Sequence, residues 1–358
     1  MAKKPQSLRR IDDLIAAGLV SAGDRAALEQ VAARYAVAIT PGLAGCIDPG
    51  DPADPVGRQF IPDARELDVS EAESADPISD DTHSPLEGIV HRYPDRVLLK
   101  LTHVCAVYCR FCFRREMVGP AGRGGLSPPA LEAAFDYIRA HPEIWEVILT
   151  GGDPLVLSPR RLKAVAAELA AIDHVKVMRF LTRMPVATPE RVTPALVRAL
   201  KTGGKALYVV LHVNHARELS PAVRAACARL VDAGIPMLSQ SVLLRGVNDD
   251  PAALGDLMRT LVESRIKPYY LHHGDLAPGT SHWRTTIEEG RALMRALHGH
   301  YSGLCQPSYV LDIPGGYGKS PVGPCYATQT GTNGSARYEI EDYRGRRHAY
   351  PPDIAPDR

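Results

Sequence analysis

Val97-Leu-Leu-Lys-Leu-Thr-His-Val-Cys105-Ala-Val-Tyr-Cys109-Arg-Phe-Cys112 joins a short apolar run to three cysteines spaced C-x3-C-x2-C. The run Val97–Leu101 reads as a strand because it is short, apolar and followed by a loop. Three thiols on one such loop can hold three corners of a cubane iron–sulfur cluster, with the fourth iron open to an outside ligand. Two other readings stand beside it. A tetrahedral zinc site would want a fourth protein ligand, for which His103 is nearest but at an unusual offset. The bland reading, three cysteines buried as small hydrophobes, suits isolated cysteines better than three so spaced.

Downstream of this loop the chain is regular. Apolar or β-branched runs at Val97–Leu101, Glu146–Leu149, Val175–Leu181, Ala206–Leu211, Pro236–Leu244 and Pro268–Leu271 alternate with amphipathic helical patterns near 128–140, 159–171, 193–202, 219–233, 250–265 and 285–298. After the first, long connection the strands begin about every 30 residues, the length of one βα unit. Six such units with near-continuous apolar strands imply an α/β fold, a parallel sheet covered by helices. Right-handed crossovers leave an open sheet or a curved, partial barrel, with ligands at the carboxyl ends of the strands in either case.

Upstream, Leu8–Leu19 and Asp24–Tyr35 carry helical spacing, with Ser21 a candidate N-cap for the second. Pro41 through Pro85 is dense in Pro, Gly and Asp, including Asp48-Pro-Gly-Asp-Pro-Ala-Asp-Pro, and reads as an irregular strap. After about Ala327 the chain is polar, an extended arm with Tyr338–Ile340 and Tyr343-Arg-Gly-Arg-Arg. The expected division is 1–88 for N-terminal helices and strap, 89–326 for the main body and 327–358 for the arm. Across 358 residues, 42 basic side chains face 41 acidic ones, so no field favours nucleic acid or an anionic membrane. No apolar run is long enough to span a membrane. Met1–Arg10 is basic but has no apolar segment after it, unlike a signal peptide. Seven cysteines, three clustered and four scattered, read as ligands plus packing residues (Cys46, Cys227, Cys305, Cys325) of a cytoplasmic protein.

Two further segments narrow the chemistry. Leu149-Thr-Gly-Gly-Asp-Pro closes the second strand, and with the cysteine loop it resembles the radical S-adenosylmethionine (SAM) superfamily. That resemblance implies a partial (β/α)6 TIM-like barrel, a [4Fe–4S] cluster on Cys105, Cys109 and Cys112, and SAM on its open iron. It also implies that Gly151, Gly152 and Asp153 lie at SAM, where glycine lets a backbone approach a ligand. Leu311-Asp-Ile-Pro-Gly-Gly-Tyr-Gly-Lys319-Ser-Pro is glycine-rich and ends in Lys and Ser, but Ile313 stands where a phosphate loop needs glycine. The remaining readings are an exposed turn lysine or a Schiff-base lysine for pyridoxal phosphate.

Together these features resemble the lysine 2,3-aminomutase family from about Asp76 to Cys325. The similar segments are Asp76-Pro-Ile-Ser-Asp-Asp-Thr-His-Ser-Pro, His91-Arg-Tyr-Pro-Asp-Arg96, Leu211-His-Val-Asn-His, Gln240-Ser-Val-Leu-Leu-Arg-Gly-Val-Asn-Asp and Pro268-Tyr-Tyr-Leu-His-His-Gly-Asp275. By resemblance Lys319 holds pyridoxal phosphate as a Schiff base, Tyr93 and Arg96 sit beside it, and His212 and Gln240 contact SAM. Arg114, or its neighbour Arg115, clamps the substrate carboxylate with a fixed donor fork. Asp275 and Asp312 receive the distal ammonium of lysine, two anions offsetting the burial of one cation. A relative acting on glutamate would be expected to carry neutral or basic groups there. The family's reaction, a radical-initiated move of the amine from C2 to C3 giving β-lysine, needs a low-potential reductant such as flavodoxin or ferredoxin.

The chain departs from some members in having Asn248-Asp-Asp250-Pro and no cysteine after Cys325, so no structural zinc is expected and the homo-oligomer that zinc supports is in doubt. A more distant resemblance is to the relative that makes β-lysine for elongation factor P. The rivals are a radical SAM enzyme of another reaction and a non-enzymatic iron–sulfur or zinc module.

Overall fold

Short polar caps followed by proline set where the helices begin. Ser127-Pro128, Ser158-Pro159, Thr193-Pro194, Ser220-Pro221 and Asp250-Pro251 each place a side-chain acceptor at the N-cap, and each cap receives a backbone N–H of the first turn. Proline at the first helical position loses nothing, since its missing N–H would have had no partner. The structure, a computed structural model, describes residues 6–119, 124–330 and 337–351. The first five residues of the basic start and the end of the arm lie outside them.

Ten helices occur among these residues: α1 Ile11–Ala16, α2 Arg25–Arg34, α3 Pro41–Ala44, α4 Pro128–Ala140, α5 Pro159–Ala170, α6 Met184–Ala187, α7 Pro194–Leu200, α8 Pro221–Asp232, α9 Pro251–Glu263 and α10 Ile287–Leu297. Nine strands form the main sheet: β1 Ile89–Tyr93, β2 Arg96–Thr102, β3 Glu146–Gly151, β4 Val177–Thr182, β5 Ala206–His212, β6 Met237–Val242, β7 Ile266–His272, β8 Ser308–Ile313 and β9 Gly318–Pro321. They lie side by side in chain order, β1 to β9. β2 to β8 are parallel, while β1 and β9 fold back as antiparallel edges. A sheet that always adds its next strand on the same side keeps its helices on one face, which selects the partial barrel over a doubly wound open sheet. Six βα units are present as expected, with β8 added after them and a hairpin strand at each edge. The edges meet where the backbone N–H of Lys319 in β9 donates to the Tyr93 hydroxyl in β1 at 2.7 Å.

Alternation along the strands divides the two faces. Val97, Leu99 and Leu101 of β2, Leu207, Val209 and Leu211 of β5, and Tyr309 of β8 pack into one core beneath the helices. The intervening positions face inward; Arg179 lies in the first half of β4, and toward the carboxyl ends of the other strands stand Lys100, His212, Gln240, His272 and Asp312. The barrel interior is therefore a chamber lined with charge rather than a second core.

The strap has little regular structure but is firmly held. Glu66 is fully buried and takes Arg110 Nε at 3.0 Å together with the guanidinium of Arg115, both from the cysteine loop. The Arg110 N–H donates to the Gln59 carbonyl at 2.8 Å. Ser21 caps a short 3-10 turn that leads into α2, one step earlier than a direct cap. The arm is a small antiparallel sheet, β10 Ala327–Gln329, β11 Tyr338–Glu341 and β12 Arg347–Tyr350, and not merely extended chain. The turn between its last two strands is closed by Asp342, which accepts from the N–H groups of Arg344 and Arg346. Of the four scattered cysteines, Cys227 and Cys305 are buried as expected. Cys325 is exposed and donates to the Ala327 carbonyl, so packing does not describe it. No helix among the described residues is long and apolar enough to cross a membrane.

Replacing Glu66 with Ala should cost about 3–5 kcal/mol, the usual effect of stranding buried cations. Chemical denaturation of the apo-protein measures it, and a loss below about 1 kcal/mol would show that the strap is not fastened by this carboxylate.

Candidate active site

The cysteine loop leaves β2 at Thr102 and passes directly over the end of β3. Gly151 and Gly152 are needed for that crossing. A Cβ on Gly151 would lie 2.4 Å from the Thr102 carbonyl oxygen, and one on Gly152 would lie 2.4 Å from that of Val104. The backbone N–H groups of Gly152 and Asp153 donate to these same two carbonyls. The close approach that excludes side chains here is that of the cysteine loop, not only of a ligand. Asp153 is also committed to the scaffold: its Oδ1 accepts from Leu155 N at 2.9 Å and Thr182 Oγ1 at 2.7 Å, and its Oδ2 from Arg183 N at 2.8 Å. These bonds tie the ends of β3 and β4 together through the Asp153 carboxylate.

Burial pushes the thiols of Cys105, Cys109 and Cys112 up, Cys112 to about 11. Three buried thiolates would need compensating metal charge. Among the described residues no three Cys, His, Asp or Glu side chains converge on one point able to hold a single ion. A mononuclear zinc site requires such convergence; a cubane, with one thiolate per iron, does not. The donor set fits the cluster. Arg183, directly after β4, donates from Nη1 to Cys109 Sγ at 3.1 Å. Its other terminal nitrogen donates to Gln59 Oε1 at 2.7 Å and to Glu218.

Next to this loop, His212 at the end of β5 lies edge-on to Phe111, with ring centroids 5.8 Å apart. Its Nε2 is buried without a hydrogen-bond partner. Burial, with Arg183 and His272 nearby, holds the imidazole well below its usual range, so it is neutral. An orphaned ring nitrogen beside the cysteine loop fits a ligand bridging from the cluster into the chamber. Gln240 faces the same interior from the neighbouring strand β6.

Arg114 and Arg115 separate clearly. Arg115 turns to the strap, where its guanidinium pairs with Glu66 and lies 3.5 Å from the centre of the Tyr35 ring. Arg114 faces the chamber and pairs with Asp80 at 2.8 Å; Asp80 also takes Arg92 at 3.0 Å. Lys100, buried on β2, is a further cation here, lowered by desolvation and by Arg114.

Across the chamber, Lys319 Nζ donates to Asp312 Oδ1 at 2.8 Å, and His272 Nδ1 lies 3.7 Å from Asp312 Oδ2. Burial would raise the Asp312 carboxyl, but His272 and Lys319 together hold it well below the carboxylate range. Asp275, in the loop after β7, behaves oppositely. Burial and then the charge of Asp312 push it up to about 7, against the pull of Lys319 and Arg114. Asp275 thus lies within electrostatic reach of both Lys319 and Arg114, the arginine two residues past Cys112. Arg96 lies with its guanidinium 3.8 Å from the centre of the Tyr93 ring. The Tyr93 hydroxyl holds the Lys319 backbone, and a Cβ on Gly318 would come within 2.7 Å of that hydroxyl. An amine, a guanidinium and a phenol at one barrel seam fit an aldehyde-bearing phosphate coenzyme.

Sequence reading did not single out Arg183, Asp80, Glu218, Gln59 or His272. Arg183 had a usable signal, because it directly follows a strand whose carboxyl end faces the site. Gln59 and Glu218 meet only through the fold.

A model of the radical SAM superfamily matches residues 99–258. The L-lysine 2,3-aminomutase of Clostridium subterminale is 44% identical over 290 residues, covering 81% of this chain and 69% of that protein. That of Methanococcus maripaludis is 40% identical over 312 residues, covering 87% and 71%. The glutamate 2,3-aminomutase of Clostridioides difficile is 36% identical over 306 residues, covering 86% and 72%.

A carboxyl raised from 3.8 to about 7 binds its proton more tightly in the folded chain than in the unfolded one. Its stabilising contribution is present at pH 4 and is lost as pH rises toward 7. Asp275→Asn should therefore leave Tm unchanged at pH 4 and raise it at pH 8 by roughly 2 °C or more, the shift about 1 kcal/mol gives a large domain. Thermal melts at the two pH values check this; an equal or smaller gain at pH 8 would show that Asp275 is not strained by its surroundings.

Proposed function

The chain belongs to the lysine 2,3-aminomutase family within the radical SAM superfamily, and from that premise we propose that it moves the α-amino group of L-lysine to C3, yielding β-lysine. Membership makes it an isomerase and brings a [4Fe–4S] cluster and SAM. Pyridoxal phosphate, held by Lys319 with Tyr93 and Arg96, completes the reading. The observation that carries the lysine assignment is the Asp275–Asp312 pair: Asp312 already binds an alkylammonium, that of Lys319, and Asp275 feels the charge of both. A glutamate side chain would meet two acids there.

When bound, the cluster with SAM supplies a carbon radical that abstracts hydrogen, and pyridoxal phosphate supplies an unsaturated carbon–nitrogen bond across which the amine can shift. The chain's own groups prepare the substrate for this. Arg114 exchanges part of its pairing with Asp80 for the substrate carboxylate, whose bidentate geometry its guanidinium matches. Lys319 must leave Asp312 and shed a proton from Nζ before that nitrogen can act as a nucleophile. Asp275, titrating near neutrality in the same chamber, is suited to take it. Asp312 is then released for the distal ammonium of lysine, with His272 still beside its Oδ2. Tyr93 keeps the Lys319 backbone at the seam while the side chain swings.

The direct test incubates the anaerobically reconstituted protein with dithionite, SAM, pyridoxal phosphate and single amino acids, with NMR and mass analysis of isomers. β-Lysine from L-lysine is expected; turnover of glutamate but not lysine would overturn the assignment. Lys319→Ala should abolish turnover while leaving the cluster spectrum intact, and retained activity would remove Lys319 from the chemistry. Because an ammonium is favoured by ionised Asp275, KM for lysine should rise as pH falls below 7, by up to about tenfold per pH unit, with kcat less affected. A KM flat between pH 6 and 8 would separate Asp275 from substrate binding.

A further inference from the structure

Arg183 is among the most enclosed cations of the molecule and lies in none of the sequence motifs quoted above. Its side chain is 6% exposed. One terminal nitrogen donates to Cys109 Sγ at 3.1 Å, while the other reaches Gln59 Oε1 at 2.7 Å and Glu218 Oε2. The Phe60 ring lies 4.6 Å from the guanidinium carbon and the Phe111 ring 5.9 Å. Its Nε is buried with no partner. The side chain leaves one donor unmet in order to aim Nη1 at the sulfur.

The groups that hold it there are themselves fixed. Gln59 Nε2 donates to Glu218 Oε1 at 3.0 Å, and Asn214 Nδ2 donates to Gln59 Oε1 at 3.0 Å. Glu218 Oε1 also accepts the backbone N–H groups of Asn214 and His215, each at 2.9 Å. Asn214 Oδ1 accepts Val242 N, and Asn248 Nδ2 donates to the Asn214 carbonyl. The network runs from the strap through the ends of β5 and β6 to one cysteine. Neither Cys105 nor Cys112 has a guanidinium hydrogen-bonded to its sulfur among the described residues.

We propose that Arg183 is a positioning residue for the iron–sulfur cluster, holding Cys109 and setting how readily the cluster accepts its electron. The inference rests on the reading that Cys105, Cys109 and Cys112 carry that cluster. The cluster takes one electron from an external low-potential iron–sulfur or flavin donor, no bond in the protein breaks, and negative charge grows on the thiolate sulfurs. A fixed cation donating a hydrogen bond to one of them stabilises the reduced form, as hydrogen bonds and net charge do for such clusters generally. Glu218 opposes this by drawing part of the guanidinium charge away from the sulfur. Removing the cation and removing its counter-ion should therefore shift the potential in opposite directions.

The test compares wild type, Arg183→Lys, Arg183→Gln and Glu218→Gln, reconstituted anaerobically, with iron and sulfide content measured first. Potentiometric titration with dithionite, followed by the electron paramagnetic resonance of the reduced cluster, gives each midpoint. Arg183→Gln should lower the reduced-to-oxidised ratio at fixed potential by at least tenfold, about 59 mV for one electron. Arg183→Lys should restore much of that loss, and Glu218→Gln should shift the midpoint upward. A fully loaded Arg183→Gln protein with an unchanged midpoint would overturn the proposal. So would shifts of the same sign in Arg183→Gln and Glu218→Gln, which mark general loosening. If Arg183→Gln takes up no cluster, the signs found for Arg183→Lys and Glu218→Gln decide. A wild-type protein that binds no iron or sulfide sinks the cluster reading itself, and this proposal with it.

Discussion

The hydrogen bond from Lys319 N to the Tyr93 hydroxyl does more than join two residues. It brings the first and ninth strands of a sheet wound in chain order within reach of one another. Without that seam the inward face of the strands would open to water, and Lys100, Arg179, His212, Gln240, His272 and Asp312 would be ordinary solvated side chains. With it, their charges act across a chamber of low effective dielectric. The opposite displacements of the Asp275 and Asp312 carboxyls are the consequence. One carboxyl has cations against it, and the other has burial and a neighbouring anion.

The chamber has two ends with different construction. At the cysteine end, order comes from long-range polar contacts: the strap supplies Glu66 to Arg110 and Arg115, and Gln59 to Arg183. At the lysine end, order comes from the sheet itself, since Asp312 and Lys319 are direct partners in the β8–β9 ladder. The strap therefore belongs to the cysteine loop as much as to the N-terminal helices. Its lack of regular structure follows from composition, and its rigidity from buried ion pairs that cannot be broken cheaply.

Much of this was legible in the sequence where the signal was local. The helix at 128–140 falls at Pro128–Ala140, and the other five main helices fall within two residues of their patterns, because a capping side chain followed by proline starts five of the six sharply. The edge strands were not legible. β9 is Gly-Lys-Ser-Pro, which has no apolar alternation and pairs only because β8 offers it an edge. In the site, the cysteines and Lys319 stood out through spacing. Arg183, Glu218 and Gln59 did not, since Gln59 and Glu218 are 159 residues apart and carry no pattern until the fold joins them. Gly151 and Gly152 were legible as tight positions, but what presses on them was visible only in the structure.

The contact between Lys319 and Asp312 also constrains how a basic substrate could enter. Asp312 is buried, and leaving its carboxylate without a cation would be costly. As long as Lys319 carries its own proton, that need is met from within the chain. Once Nζ is neutral and engaged elsewhere, Asp312 requires a replacement cation, and one delivered on the end of a flexible alkyl chain meets the requirement in the same place. On the proposed reading, loading of the coenzyme and selection of lysine are then one electrostatic event: the pocket becomes hungry for an ammonium only when its resident amine has been taken. Asp275, half-titrated near neutrality, adjusts the net charge of the pocket as that exchange proceeds.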